Sequence, residues 1–231
     1  MVEIRHKAII GEFQDFIMNE TYPCVAARAA MARKQIACLV ADHMACGHED
    51  DRILRFLYDF VAGFRSAGTD FHSAAVIFQG PEGITEKTFE NLLWRRLQSL
   101  SDLDANNFDH DHRVDPDPSA PDFSFSIGEE AFFVIGLHPS STRRSRQFRY
   151  PAIVFNPHIQ FEEMRSAERY EKLKTIVRKR DIRYSGSINP MLSDFGERSE
   201  VYQYSGKKYD DDWTCPLHIA HGKTENNSSQ K

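Results

Sequence analysis

Cysteine is scarce in this chain: Cys24, Cys38, Cys46 and Cys215 are the four thiols among 231 residues. That is too few for a disulfide scaffold of this size. Long apolar runs are missing too. No stretch approaches the roughly 20 apolar residues that a bilayer span requires, and the mean hydropathy is −0.53. The first residues, MVEIRHKAIIGEFQDFIMNE, lack the continuous apolar run of a signal peptide. Basic charge is not in excess, since 29 Lys and Arg stand against 34 Asp and Glu for a net −5, which argues against a general nucleic-acid binder. The common chemical signatures are absent as well: no GxGxxG follows a strand, and there is no GxxxxGK(S/T), HExxH, CxxC or GxSxG. What is present is aromatic side chain, 17 Phe, 8 Tyr and 2 Trp, which excludes disorder for most of the chain. Ten histidines accompany them. A soluble, reduced, cytoplasmic domain is expected, with neither nucleic acid nor membrane as a partner.

Hydrophobic periodicity predicts the elements. Ile9, Phe13, Phe16 and Ile17 mark a short helix over 8–18. The Ala-rich run after Cys24 predicts a helix from 25 to about 37. Ile53, Phe56, Leu57 and Phe60 mark another over 50–64, and Phe89, Leu92, Leu93, Leu97 and Leu100 a third beginning after Thr85. Strands are predicted at 72–78, 123–127, 131–137 and 152–156, with a hairpin turn at Gly128-Glu129-Glu130. Pro157 is expected to open a long helix with Asn156 as its N-cap. Between them, residues 101–122 carry seven Asp and three Pro, a loop long enough to suggest a lid. The fold expected is α+β, a single domain over 1–217 with a small, mostly antiparallel sheet packed by several helices. A polar tail, 218–231, is expected to be disordered.

Several places carry chemistry. His138 ends an apolar strand and is followed by Arg143, Arg144 and Arg146, a concentrated anion-binding edge. His158 falls in the first turn expected after Pro157, where the helix dipole favours neutral imidazole, the form that ligates metals or haem iron. Cys24 stands before a helix and Cys215 before Pro216, and a helix N-terminus lowers a thiol pKa. Cys38, His43, Cys46 and His48 superficially suggest zinc, but their spacing matches no standard finger. Asp109-His110-Asp111-His112 reads as a solvated turn.

These stretches resemble the YqcI/YcgG family. The resemblance rests on the run from Tyr22 to Ala30 (YPCVAARAA), the helix Phe89–Leu100, Asp115–Pro118, Ala131–Pro139, Val154–Glu162 (VFNPHIQFE), Gly186–Leu192, Ser199–Gly206 and Trp213–Pro216. They run in order over roughly residues 21–217. One departure is Pro157, where the family pattern often has Leu. The resemblance implies a haem b monooxygenase that N-hydroxylates a guanidino group, of arginine or an arginine-derived compound, with O2 and electrons from a separate reductase. It implies an axial ligand, with His158 first, His138 second and Cys24 or Cys215 third. Arg143, Arg144 and Arg146 are then the expected propionate partners. Glu200 and Glu162 are the expected carboxylates for the guanidinium, and Tyr202 and Tyr204 offer it a cation–π face. The competing expectations are a haem sensor or carrier without turnover, and a non-haem iron site built from His138, His158 and a carboxylate. A second copy of the chain is also a candidate partner.

Overall fold

A computed structural model describes residues 2–68, 71–193 and 196–220. In chain order the elements are α1 (Val2–Met18), α2 (Val25–Ala32), β1 (Ile36–His43), α3 (Asp50–Ala67), β2 (Ser73–Gly80), α4 (Glu86–Asp104), β3 (Phe125–Ile127), β4 (Glu130–Leu137), β5 (Ala152–Pro157), α5 (Ile159–Ser166), α6 (Tyr170–Ser185) and α7 (Val201–Tyr204). Single 3-10 turns precede α3 and β5, at Gly47–Glu49 and Arg144–Arg146. The strands form one sheet in the order β1-β2-β5-β4-β3. Only β1 and β2 run parallel; the other pairings are antiparallel. The expected α+β fold with a mostly antiparallel sheet is therefore what the chain adopts.

The sheet is covered on both faces. Alternation along β4 sends Phe132 and Val134 toward α3 and α4, where they join Leu57, Phe89, Leu93 and Leu97. It sends Ile135 and Leu137 to the opposite face, where they meet α1 through Ile9, Phe13 and Ile17. Gly136 faces α4 at close quarters: a Cβ there would lie 2.7 Å from Phe89 Cε1 and 2.9 Å from the Tyr204 carbonyl. Gly136→Ala is therefore expected to cost about 2 kcal/mol through overpacking, measured by urea unfolding. An unchanged midpoint would mean that Phe89 swings aside at no cost.

Four element predictions are corrected. The helix expected over 25–37 ends at Ala32, Lys34 takes a left-handed φ of 59°, and Ile36–His43 is a strand. A continuous apolar run does not distinguish helix from strand by period, and pairing with β2 decides it. The first helix starts at Val2, six residues earlier than its apolar stripe suggests. The long helix after Pro157 is two helices, broken where Glu168 adopts a φ of 55°. Pro157 itself closes β5, so Asn156 is a strand residue and His158 caps α5.

The aspartate-rich segment begins later than expected because α4 runs to Asp104. Asp104, the last residue of α4, and Asp111 are buried and anchor the stretch. Asp104 accepts hydrogen bonds from Tyr58 Oη (2.8 Å) and the Gly128 N–H (3.1 Å). Asp111 accepts from the Ala131 N–H (2.8 Å) and pairs with Arg113, which also reaches Glu130 at 2.8 Å. The Arg113 guanidinium, with the Ala131 N–H, holds the Asp111 carboxyl below its ordinary range against the opposing effect of burial. The segment is tied to the β3–β4 hairpin, and none of residues 101–122 borders the cavity described below. Of the tail, residues 221–231 lie outside the described residues.

Candidate functional site

On the face away from α3 and α4 the sheet walls a cavity of about 300 Å³. Phe133, Ile135 and Leu137 of β4 and Val154 of β5 form its floor. Helices α1, α2 and α6 roof it with side chains such as Phe13, Ala27 and Leu173. A cavity of this size is at the lower end of the range that holds small molecules and cofactors.

His158 borders the cavity and is 3% exposed. Its N–H donates to the Ala131 carbonyl at 2.8 Å, which fixes the end of β5 against β4. Its Nδ1 faces Glu162 Oε1 across 3.6 Å. Burial pushes the imidazole pKa down to about 4, helped by the positive charges of Arg165 and Arg113 and opposed by Asp111. The ring is therefore neutral at physiological pH, through desolvation rather than through the first-turn dipole expected from the sequence.

The other end of the cavity is cationic. Arg143 pairs with Asp181 at 2.5 Å and donates to the Ser187 carbonyl at 2.9 Å. Arg146 gives its hydrogen bonds to the carbonyls of Gly136 (3.1 Å), Gln203 (3.0 Å) and Tyr204 (3.4 Å). Burial lowers its pKa to about 10, so it keeps its charge at neutral pH. Arg144 is exposed, stacks on Tyr184 at 4.7 Å and does not border the cavity. Of the three arginines, Arg143 and Arg146 thus border the cavity.

Glu200 also borders the cavity, just before α7. Tyr204 Oη donates to its Oε1 at 2.5 Å. Burial raises the carboxyl to about 8, against the lowering effect of that hydroxyl and of Arg165, so at neutral pH it is mostly protonated. Tyr204 is wholly buried and serves as the partner of Glu200 rather than as an aromatic wall. Tyr202 does carry a guanidinium on its ring, but it is that of Arg198, 3.5 Å from the centroid. Glu162 is absent from the cavity wall and faces His158 instead.

The remaining candidates separate. Cys24 borders the cavity, caps α2 by accepting the Ala27 N–H at 3.4 Å, and has its pKa raised by burial. Cys215 packs in the core beyond the opposite sheet face, and burial raises its pKa to about 12. His138 lies on that face too, stacked on Phe89 at 4.3 Å. The register explains the division: Leu137 pairs with Ala152 and Phe132 with Pro157, so His138 and His158 stand at opposite ends of the β4–β5 pair. His158 lies opposite Ala131, seven residue steps along the strand from His138, so roughly 23 Å separate them. A non-haem iron site using both histidines is not formed. Sequence reasoning missed Asp181, Arg165 and Gln203, which arrive at the cavity from α6, α5 and α7.

The fold and cavity define an α+β protein whose mixed sheet walls a ligand-sized chamber with a neutral histidine at one end and buried arginines at the other. The chain belongs to the YqcI/YcgG family, whose profile matches residues 13–218. It is 26% identical over 193 residues to the uncharacterized protein YcgG of Bacillus subtilis (strain 168), covering 80% of this chain and 76% of that one. The uncharacterized protein YqcI of the same organism is 25% identical over 186 residues, covering 78% and 72%. No solved structure matches the chain. Among the described residues, no helix is long and apolar enough to cross a membrane.

Proposed function

We propose that the cavity binds haem b, that His158 would hold its iron, and that the protein N-hydroxylates a guanidino group of arginine or an arginine-derived compound. O2 and a separate reductase are the co-reactants. The observation that carries this proposal is the cavity wall: a buried, neutral imidazole, apolar strands beneath it, and Arg143 and Arg146 at the far end. That donor set fits haem, which needs a side-chain ligand such as imidazole, an apolar slot and cations for its propionates. Haem, when bound, supplies the oxygen activation.

The protein's own residues hold and orient. Glu162 faces Nδ1 of His158, the placement of a carboxylate that steadies a ligating ring. Arg146, whose hydrogen bonds go to carbonyl dipoles, has charge to offer a carboxylate. Cys24, a thiol raised by burial, is the weaker ligand on the same wall. Glu200 takes the guanidinium, and Tyr204 holds its carboxyl in place. Because that carboxyl rests protonated below about 8, docking of a cation displaces its proton.

The test is spectroscopic. Full-length protein from haem-supplied cells should show a Soret band, and arginine should shift its spin state. Supplied with O2 and a reductase, it should return arginine with one added oxygen by mass. The apparent affinity for arginine should rise about tenfold per pH unit below the Glu200 pKa and level off above about 8. Glu200→Gln should weaken binding at least about tenfold at pH 8 and abolish the slope. Absence of a Soret band defeats the haem assignment. A band that ignores arginine and turns nothing over would identify a sensor or carrier instead.

A further inference from the structure

A second group of metal-binding side chains lies at the far end of β1, on the loop that leads into α3. It gathers Asp42, Cys46, His48 and Glu49. The donor atoms of Asp42, His48 and Glu49 all lie within 4.8 Å of one another. Cys38 and His43 take no part: Cys38 sits within β1, and the His43 ring packs over Gly80.

The loop is braced rather than loose. Arg96 donates to the carbonyls of Met44 (2.6 Å) and Cys46 (2.8 Å) and pairs with buried Asp50. Arg52 pairs with Glu49 and donates to the Val40 carbonyl at 2.8 Å. Glu49 also accepts the Asp42 N–H, and Asp42 Oδ1 accepts from Gln79 Nε2 at 3.0 Å. Each carboxylate oxygen still has a second lone pair.

His48 is oriented by its neighbour. Its Nδ1 lies 3.0 Å from Cys46 Sγ, which turns Nε2 toward Asp42 Oδ2, 3.8 Å away. That separation is too long for a hydrogen bond. It is within a few tenths of an ångström of the edge, roughly 3.4 Å, between two ligands of one tetrahedral ion with bonds of about 2.1 Å. A ligating histidine whose other nitrogen is held by a neighbour is the usual arrangement at metal sites.

We propose that Asp42 Oδ2, His48 Nε2 and the Glu49 carboxylate form a surface site for a divalent transition metal, zinc above all, with Cys46 positioning the His48 ring. One imidazole with two carboxylates suits zinc better than magnesium or calcium, which prefer all-oxygen sets. Water completes the shell. The site is independent of the cavity and of its occupant.

Calorimetric titration of ZnCl2 into tag-free, chelator-treated full-length protein tests this. Wild type should take up one equivalent with a Kd in the micromolar range, about −8 kcal/mol. His48→Gln and Asp42→Asn should each weaken binding by more than about tenfold. Both positions are exposed, so both variants should keep the wild-type thermal midpoint without zinc, and zinc should raise the midpoint of wild type alone. Absence of saturable uptake by wild type, or equal uptake by all three proteins, overturns the proposal. The latter would assign the zinc to other histidines, and the former would leave His48 and Asp42 as an ordinary ion pair.

Discussion

On the proposed haem assignment, His158→Ala should give a folded protein that fails to retain haem. The fold should survive because what His158 contributes to the β4–β5 edge is its backbone N–H bond to Ala131, which alanine keeps. What disappears is the imidazole on the cavity wall. Removing a carboxylate or amide that merely orients a metal ligand typically costs ten- to a hundredfold in affinity, and removing the ligand itself should exceed about a hundredfold. The variant should therefore elute without a Soret band under conditions where wild type is loaded. The space left by the ring should admit free imidazole, so millimolar imidazole during reconstitution should restore the band. Cys24→Ala separates the two ligands on this wall. It should cost about 1 kcal/mol of stability through the lost α2 cap and leave the spectrum intact. A reduced CO complex with its Soret band at the thiolate position, or full haem retention by His158→Ala, would sink the assignment.

How far the site could be read from the sequence depends on what sets each position. The apolar strands of β4 and β5 announce themselves by composition, and His158 by its place beside them. The two strand-end histidines look equivalent in sequence, and only register tells them apart. Val134 pairs with Phe155, so even-numbered residues of β4 share a face with odd-numbered residues of β5. His138 and His158 then point to opposite sides of the sheet. No local pattern contains that information, because pairing register is a property of two segments together. The same holds for Asp181, which the α5–α6 break brings beside Arg143. Glu200 and Tyr204 are different, being four apart, the spacing of neighbours on one helical turn. Their contact would have been legible had the short α7 been read from Val-Tyr-Gln-Tyr. β1 was hidden by the Ala-rich helix before it, whose composition spoke for helix until a parallel partner at β2 outweighed it.

His138 leads to the second large effect. It is 0% exposed, and among the described residues neither ring nitrogen finds a hydrogen-bond partner. Burial, with the charge of Arg146 nearby, lowers its pKa to about 4. The unfolded chain takes up this proton near the ordinary histidine value of about 6.5, the folded chain only near 4. Between those values the unfolded state binds more protons, so its contribution is fully present above pH 6.5 and is lost as pH falls toward 4. The shift of about 2.5 units corresponds to roughly 3 kcal/mol. His158 in the haem-free protein titrates over the same window in the same direction. Glu200 opposes both, because its raised pKa makes the folded state the better proton binder between about 4.5 and 8. The informative quantity is therefore the difference between wild type and His138→Leu, which cancels the other groups. At pH 7.5 the leucine variant should be the more stable by about 1 kcal/mol, since two unpartnered buried nitrogens are gone. As pH falls to 4.5 its advantage should widen to about 3 kcal/mol or more. Urea unfolding of haem-free protein at half-unit steps measures this. Parallel stability curves would mean that the folded protein protonates His138 as readily as the unfolded chain does, and that water reaches the ring beside Phe89.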